Sequence, residues 1–393
     1  SLKKDEILIE YTRYNPHNIL DDFKDLDNAQ YLALTLNSNS EIRVFDLGSA
    51  SELDGNAFKA HNATKEIKEN IEDYLDEVSK LVFNDKLRDY LKKYKTIFIS
   101  PDFSLQKIPI TLLRDPISKN YFSRDKNIVL VSGGKDLIYK NNTKSSKKKS
   151  VIIANPNYNL SSKKVSKKNL SYLDIKNKLR SKELLSAKWE PREGFEIEGK
   201  KIQEVINGNL ISGDNATVEA VLKTKSPKIL HIVTHGFYFS PYKDDKNELT
   251  RTGIVLAGAN DKKILEDGYL TAIEISGMDL SGTELVTISA CESGEGDLRA
   301  YESLEGIRRS LSNAGAKSTL LSLWKVDDQA TTEFMIDFYK NLKEGMYKNK
   351  ALSLTQKKFR DGIIKSEIDD WTNIFYWGAF QISGDMSPIE FEN

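Results

Sequence analysis

From Phe195 onward, short β-rich apolar runs alternate with stretches that read as helices, and this alternation constrains the fold more than any other feature. Residues 229–233 (ILHIV), 253–256, 285–289 and 318–323 have the length and β-branched content of strands. Residues 271–276, 303–313, 328–342 and 350–363 read as the helices between them. A parallel strand needs a crossover to return, so strands and helices at this spacing predict a mostly parallel sheet covered on both faces. In open sheets of this kind, reactive groups sit at the carboxyl ends of strands.

The preceding part of the chain reads as a similar α/β layer. Residues 31–36 and 42–47 alternate with a period of two and predict a hairpin about Asn37-Ser38-Asn39-Ser40. Ile67, Ile71, Leu75, Val78 and Leu81 recur at helical steps, predicting one amphipathic helix over 62–81, with a second over 86–93. Strands are expected at 96–100, 128–131, 151–154 and 210–211, and a helix through 202–206. Asn215 or Thr217 is expected to cap a helix running through Val221. The first twenty residues read as polar and irregular. Two Lys/Ser-rich stretches, 140–150 and 161–168, read as solvated loops, since they lack the interleaved aromatics that stack on nucleic-acid bases.

At 393 residues, and roughly 100–200 residues per domain, two or three units are expected. The division falls at 1–145 and 146–393. Lys+Arg and Asp+Glu both number 58, so no net field draws the chain to nucleic acid or an anionic membrane. No apolar run approaches the ~20 residues of a membrane span, and SLKKDEILIE lacks the layout of a signal peptide, which predicts a cytoplasmic protein. Cys291 is the one cysteine, which excludes an internal disulfide and any cysteine-based zinc site; no metal or cofactor is expected. Because the sequence opens on Ser1, an amino-terminal partner domain is expected to belong to a longer protein.

Two reactive side chains fall at expected strand ends. His235 follows ILHIVT and precedes Gly236; Cys291 follows ELVTISA and precedes Glu292. Alone, a cysteine of this kind reads as a small buried hydrophobe and the histidine as a loop residue. Together, at the ends of two runs of one sheet, they make a nucleophile and its base, because a thiol of ordinary pKa is mostly protonated at neutral pH and an imidazole can take its proton. The backbone amides of Gly236 and Cys291 are the candidate oxyanion donors. His231 and His235 form an HxxxH spacing, but on a strand-forming run without the glutamate of a zinc helix. His231 therefore reads as a core residue. Gly294-Glu295-Gly296 is too short to cradle phosphate and reads as a loop shaping a groove.

The words HIVTHG (231–236), DGYLTAIEIS (267–276), LVTISACESGEG (285–296), EGIRRSLSNAGAKSTLLSLWKVDD (305–328) and FYWGAFQISGD (375–385) resemble the CHAT domain, a caspase-like peptidase family of the caspase, separase and gingipain clan. YLALTL, DLGSA (46–50), SPDFSLQKIPITLLRDP (100–116) and SGGKDLIY (132–139) extend the resemblance over nearly the whole chain. Cys291 stands fifty-six positions after His235, near the ~50 typical of caspases.

The resemblance implies a caspase-like α/β fold with a degenerate amino-terminal half and a catalytic carboxyl-terminal half. It implies a cysteine endopeptidase with His235 as base and Cys291 as nucleophile, passing through a thioester. Its partners would be a protein substrate and a sensor module, often of tetratricopeptide type, that switches it on in a bacterial defence system. By similarity to separase around LWKVDD, Asp328, with Asp327 beside it, would line the pocket for the residue before the scissile bond and take a lysine or arginine there, a pocket for an apolar residue being the alternative. Either aspartate would equally serve as the N-cap of the helix that follows. A catalytically silent CHAT scaffold is the alternative function.

Overall fold

The apolar runs become strands of one thirteen-stranded sheet in a computed structural model that describes residues 2–16, 28–139, 144–161, 187–239, 247–261, 268–292 and 300–391. In chain order the strands are β1 (Glu6–Tyr14), β2 (Gln30–Asn37), β3 (Ile42–Ser49), β4 (Thr96–Ser100), β5 (Asn127–Leu130), β6 (Val151–Pro156) and β7 (Asn209–Gly213). They continue with β8 (Ile229–Tyr238), β9 (Thr252–Val255), β10 (Tyr269–Thr271), β11 (Leu285–Glu292), β12 (Ser318–Ser322) and β13 (Phe380–Gly384). Across the sheet the order is β10-β9-β8-β11-β12-β13-β5-β4-β1-β2-β3, with β6 joined to β8 and β7 to β6. Strands β8, β11 and β12 are parallel, whereas β13 is antiparallel to β12 and parallel to β5. The direction of the sheet therefore reverses at β13. The boundary at 145/146 falls between β5 and β6.

The principal helices are α1 (Ala50–Lys65), α2 (Ile71–Val82), α3 (Asp85–Leu91), α4 (Glu193–Ile206), α5 (Val218–Lys223), α6 (Ala272–Ser276), α7 (Ala300–Asn313), α8 (Asp328–Lys343) and α9 (Lys348–Arg360). They cover both faces of the central strands. On β8 every residue is buried, as expected for an interior parallel strand. Ile229 and Val233 pack in a core with Phe195 and Ile202 of α4 and Phe334, Phe338 and Tyr339 of α8. Leu230 and Ile232 pack on the other face with Val221 of α5, Ile275 of α6 and Ile307 of α7. Thr217, not Asn215, caps α5 by accepting from the Ala220 amide. Thr271 and Glu274 form a reciprocal capping box that starts α6. Among the described residues no helix is long and apolar enough to cross a membrane.

Three expectations need correcting. Residues 6–14 are not irregular: they form β1, an interior strand paired with both β2 and β4. The charges that disguise it have partners, since Glu10 accepts from the Gly134 amide and Arg13 pairs with Asp54. The single helix over 62–81 is two helices. Ile67 lies between them, exposed and at φ 50°, so the helical spacing runs through a turn. The first of the two carries little sequence signal because its buried stripe is Ala50, Leu53, Ala57, Ala60 and Ala63, nearly all alanine. The short strands β10 and β13 had no expected counterpart. The stretches 140–143 and 162–168 and the Gly294–Gly296 loop lie outside the described residues.

Candidate active site

The parallel interior strands β8 and β11 carry His235 and Cys291 at their carboxyl ends, and β12 runs parallel beside β11. The β8–β11 register pairs Ile229 with Leu285, His231 with Thr287, Val233 with Ser289 and His235 with Cys291. Residues 235 and 291, far apart in sequence, are thus direct neighbours across two hydrogen-bonded strands. Both strands run further than expected, so His235, Gly236 and Cys291 lie within the final residues of strands rather than beyond them. Gly236 is the register partner of Glu292 on β11 and of Ile254 on β9. On that second side β8 pairs with β6 up to Val233 and with β9 from Gly236, so the neighbouring strand changes at His235.

His235 is buried beneath three aromatic rings. The ring centroids of Tyr158, Trp189 and Phe195 lie 5.3, 5.4 and 5.1 Å from its own. Its Nε2 is 2.9 Å from the backbone oxygen of Glu190. A carbonyl only accepts, so Nε2 carries the hydrogen and Nδ1 holds the basic lone pair. Burial lowers the pKa of the imidazole below its ordinary 6.5; the Glu190 carbonyl and the Asp328 charge oppose this, and Arg192 and Lys325 reinforce it. The net depression keeps the ring neutral near pH 7, the state a general base requires.

The segment that supplies Glu190 is itself held. The side-chain amide of Asn260 accepts from the Trp189 backbone N–H at 2.9 Å and donates to the Trp189 carbonyl at 2.7 Å. The Trp189 indole donates to the Tyr269 hydroxyl at 2.8 Å. Pro191 disfavours a helical conformation at Glu190, which keeps this strap extended until α4 begins at Glu193. Neither Trp189 nor the Glu190 carbonyl was evident from sequence, because a backbone acceptor has no residue signature. The tetrapeptide Trp189-Glu190-Pro191-Arg192 was the available clue.

Beneath the pair runs a buried polar chain. Thr287 Oγ1 lies 2.8 Å from the Tyr339 hydroxyl, which lies 3.0 Å from His231 Nδ1. His231 Nε2 lies 3.0 Å from Glu198 Oε1, and Ser289 donates to Glu198 Oε2 at 3.2 Å. Each hydrogen has an acceptor when Thr287 donates to Tyr339, Tyr339 to His231 and His231 to Glu198. Both nitrogens of His231 are therefore used, which accounts for a fully buried histidine on a strand. The chain ties α4 and α8 to the two strands that carry His235 and Cys291.

The two aspartates after β12 behave differently. Asp327 is the N-cap of α8, accepting from the Ala330 amide at 2.9 Å. Asp328 pairs with Arg192 at 3.3 Å and packs against Gly194, where an added Cβ would sit 2.4 Å from the Asp328 Cβ. The Arg192 guanidinium lies 5.5 Å from the Phe195 ring, which touches His235. Asp328 thus stands beside the candidate site, already engaged by a cation.

Comparison with known proteins bears on the fold and the family. A family described as CHAT domain matches residues 72–385. Among solved structures, the Saccharomyces cerevisiae separase–securin complex aligns at TM-score 0.52 and 12% identity, covering 97% of this chain and 30% of that one. The Arg-specific cysteine proteinase gingipain R aligns at TM-score 0.38 and 10% identity, covering 86% of this chain and 75% of that one. This chain spans only 30% of the separase chain's length. No curated protein matches. The separase likeness shows a caspase-like α/β fold, and the family match extends over well more than half of the sequence: the chain belongs to the CHAT domain family.

Proposed function

We propose that this chain is a cysteine endopeptidase using a Cys291–His235 dyad. The observation that carries the reading is the register pairing of Cys291 with a buried histidine whose Nε2 is fixed by the Glu190 carbonyl. Nδ1 of His235 takes the thiol proton, and the thiolate adds to the substrate carbonyl carbon. The amides of Gly236 and Cys291 stabilise the oxyanion, glycine allowing the carbonyl a close approach. The imidazolium then protonates the departing amine, leaving a thioester. Water, deprotonated by the same nitrogen, hydrolyses the thioester and returns the thiol.

In the same proposal residues 1–145 are a non-catalytic caspase-like subdomain, and a sensor module or protein switches the peptidase on in bacterial defence or signalling. Asp328, with Asp327 beside it, lines the subsite for the residue preceding the scissile bond. The test is digestion of a mixed peptide library by the wild-type chain and by Cys291→Ala, read by mass spectrometry with the upstream sensor supplied. Cuts that disappear in Cys291→Ala are expected. Identical profiles from both proteins would replace the peptidase reading with the silent-scaffold one.

A further inference from the structure

The Asp328 carboxylate, proposed above to line the subsite for the residue before the scissile bond, is already engaged from within. Arg192 Nη1 lies 3.3 Å from Asp328 Oδ1, with the two side chains 28% and 32% exposed. Arg192 belongs to the strap that supplies the Glu190 carbonyl to His235. Asp328 opens α8 next to the carboxyl end of β12, and β12 is hydrogen-bonded to the strand bearing Cys291. The pair therefore sits between the two structures that frame the dyad, and it is accessible enough for one partner to be exchanged.

From this geometry we infer that Arg192 is a specificity-determining residue: it acts as an internal guanidinium that neutralises Asp328 and makes the subsite select an uncharged side chain before the scissile bond. A substrate lysine or arginine meets a carboxylate whose charge is already matched, and it must displace a tethered competitor of its own chemistry. A tethered group holds a high effective concentration, so a free side chain of equal affinity loses. An uncharged side chain leaves the pair intact and packs against the Arg192 stem. Gly194, in the first turn of α4, contributes by letting Asp328 seat against that turn, since any larger residue would collide with it.

This inference depends on the peptidase reading for its biological meaning but not for its test. N-acetyl-argininamide and N-acetyl-leucinamide are titrated by NMR into the wild-type chain, Arg192→Met and the double variant Arg192→Met/Asp328→Asn; Arg192→Gln is the second single variant should the first fold poorly. Removing Arg192 is expected to tighten binding of the arginine probe about tenfold or more, as for a newly available charge-assisted bond, and Asp328→Asn is expected to cancel the gain. Equal binding to wild type and both single variants, or a gain that survives Asp328→Asn, would overturn the inference. Cleavage of a matched peptide pair should show the same shift in the Arg-to-Leu ratio. Absence of any cleavage would count against the peptidase reading alone, with the titration still deciding the role of Arg192.

Discussion

At the scale of the residue, the properties of His235 follow from what surrounds it. Three aromatic rings remove water from the imidazole and lower its pKa, while one backbone oxygen fixes the tautomer. Trp189 is the ring brought by the strap, so Trp189→Ala should move the NMR titration midpoint of His235 upward toward 6.5 from its depressed wild-type value. An unchanged midpoint would show that burial by Trp189 is not the cause. The same depression affects stability. The unfolded chain binds a proton at His235 near pH 6.5 and the folded chain resists it, so this contribution is complete above pH 6.5 and is lost as pH falls toward the folded pKa. His235 was legible as a candidate because a histidine at the end of an apolar run is rare in this chain. Its rings were not, since Tyr158, Trp189 and Phe195 come from three separate segments.

At the scale of the element, the chain Thr287–Tyr339–His231–Glu198 couples two strands to two helices. Buried polar groups are costly when unpaired, so the effect of a deletion depends on what it strands. Tyr339→Phe leaves His231 Nδ1 and the Thr287 hydroxyl without each other's bridge and should cost about 1–3 kcal/mol in urea unfolding. Tyr339→Phe combined with Thr287→Val should cost less than the sum of the single changes, because one stranded donor is also removed. Strict additivity would mean the groups act independently. Strand positions were largely legible, since β4, β6, β8, β11 and β12 coincide with apolar runs. Helix α1 was not, because an alanine stripe carries little hydrophobic contrast, and β1 was hidden by charges that find partners only in the folded chain.

At the scale of the whole molecule, one sheet brings a histidine and a cysteine from distant segments into register. The α/β class was legible from alternation alone, and the family from its words. The order of strands was not, because the insertion of β13 between β12 and β5 depends on contacts across hundreds of residues. The neighbour relation of His235 and Cys291 belongs to this level, since it exists only once β8 and β11 pair. Its most direct test is the rate of alkylation of Cys291 by iodoacetamide in the wild-type chain and in His235→Ala, measured across neutral and mildly acidic pH. The wild-type chain is predicted to label stoichiometrically, with the rate persisting below pH 6.5 as the depressed base remains neutral, and His235→Ala to lose that fast reaction. Equal rates in the two proteins, or a thiol that resists labelling in both, would contradict the dyad.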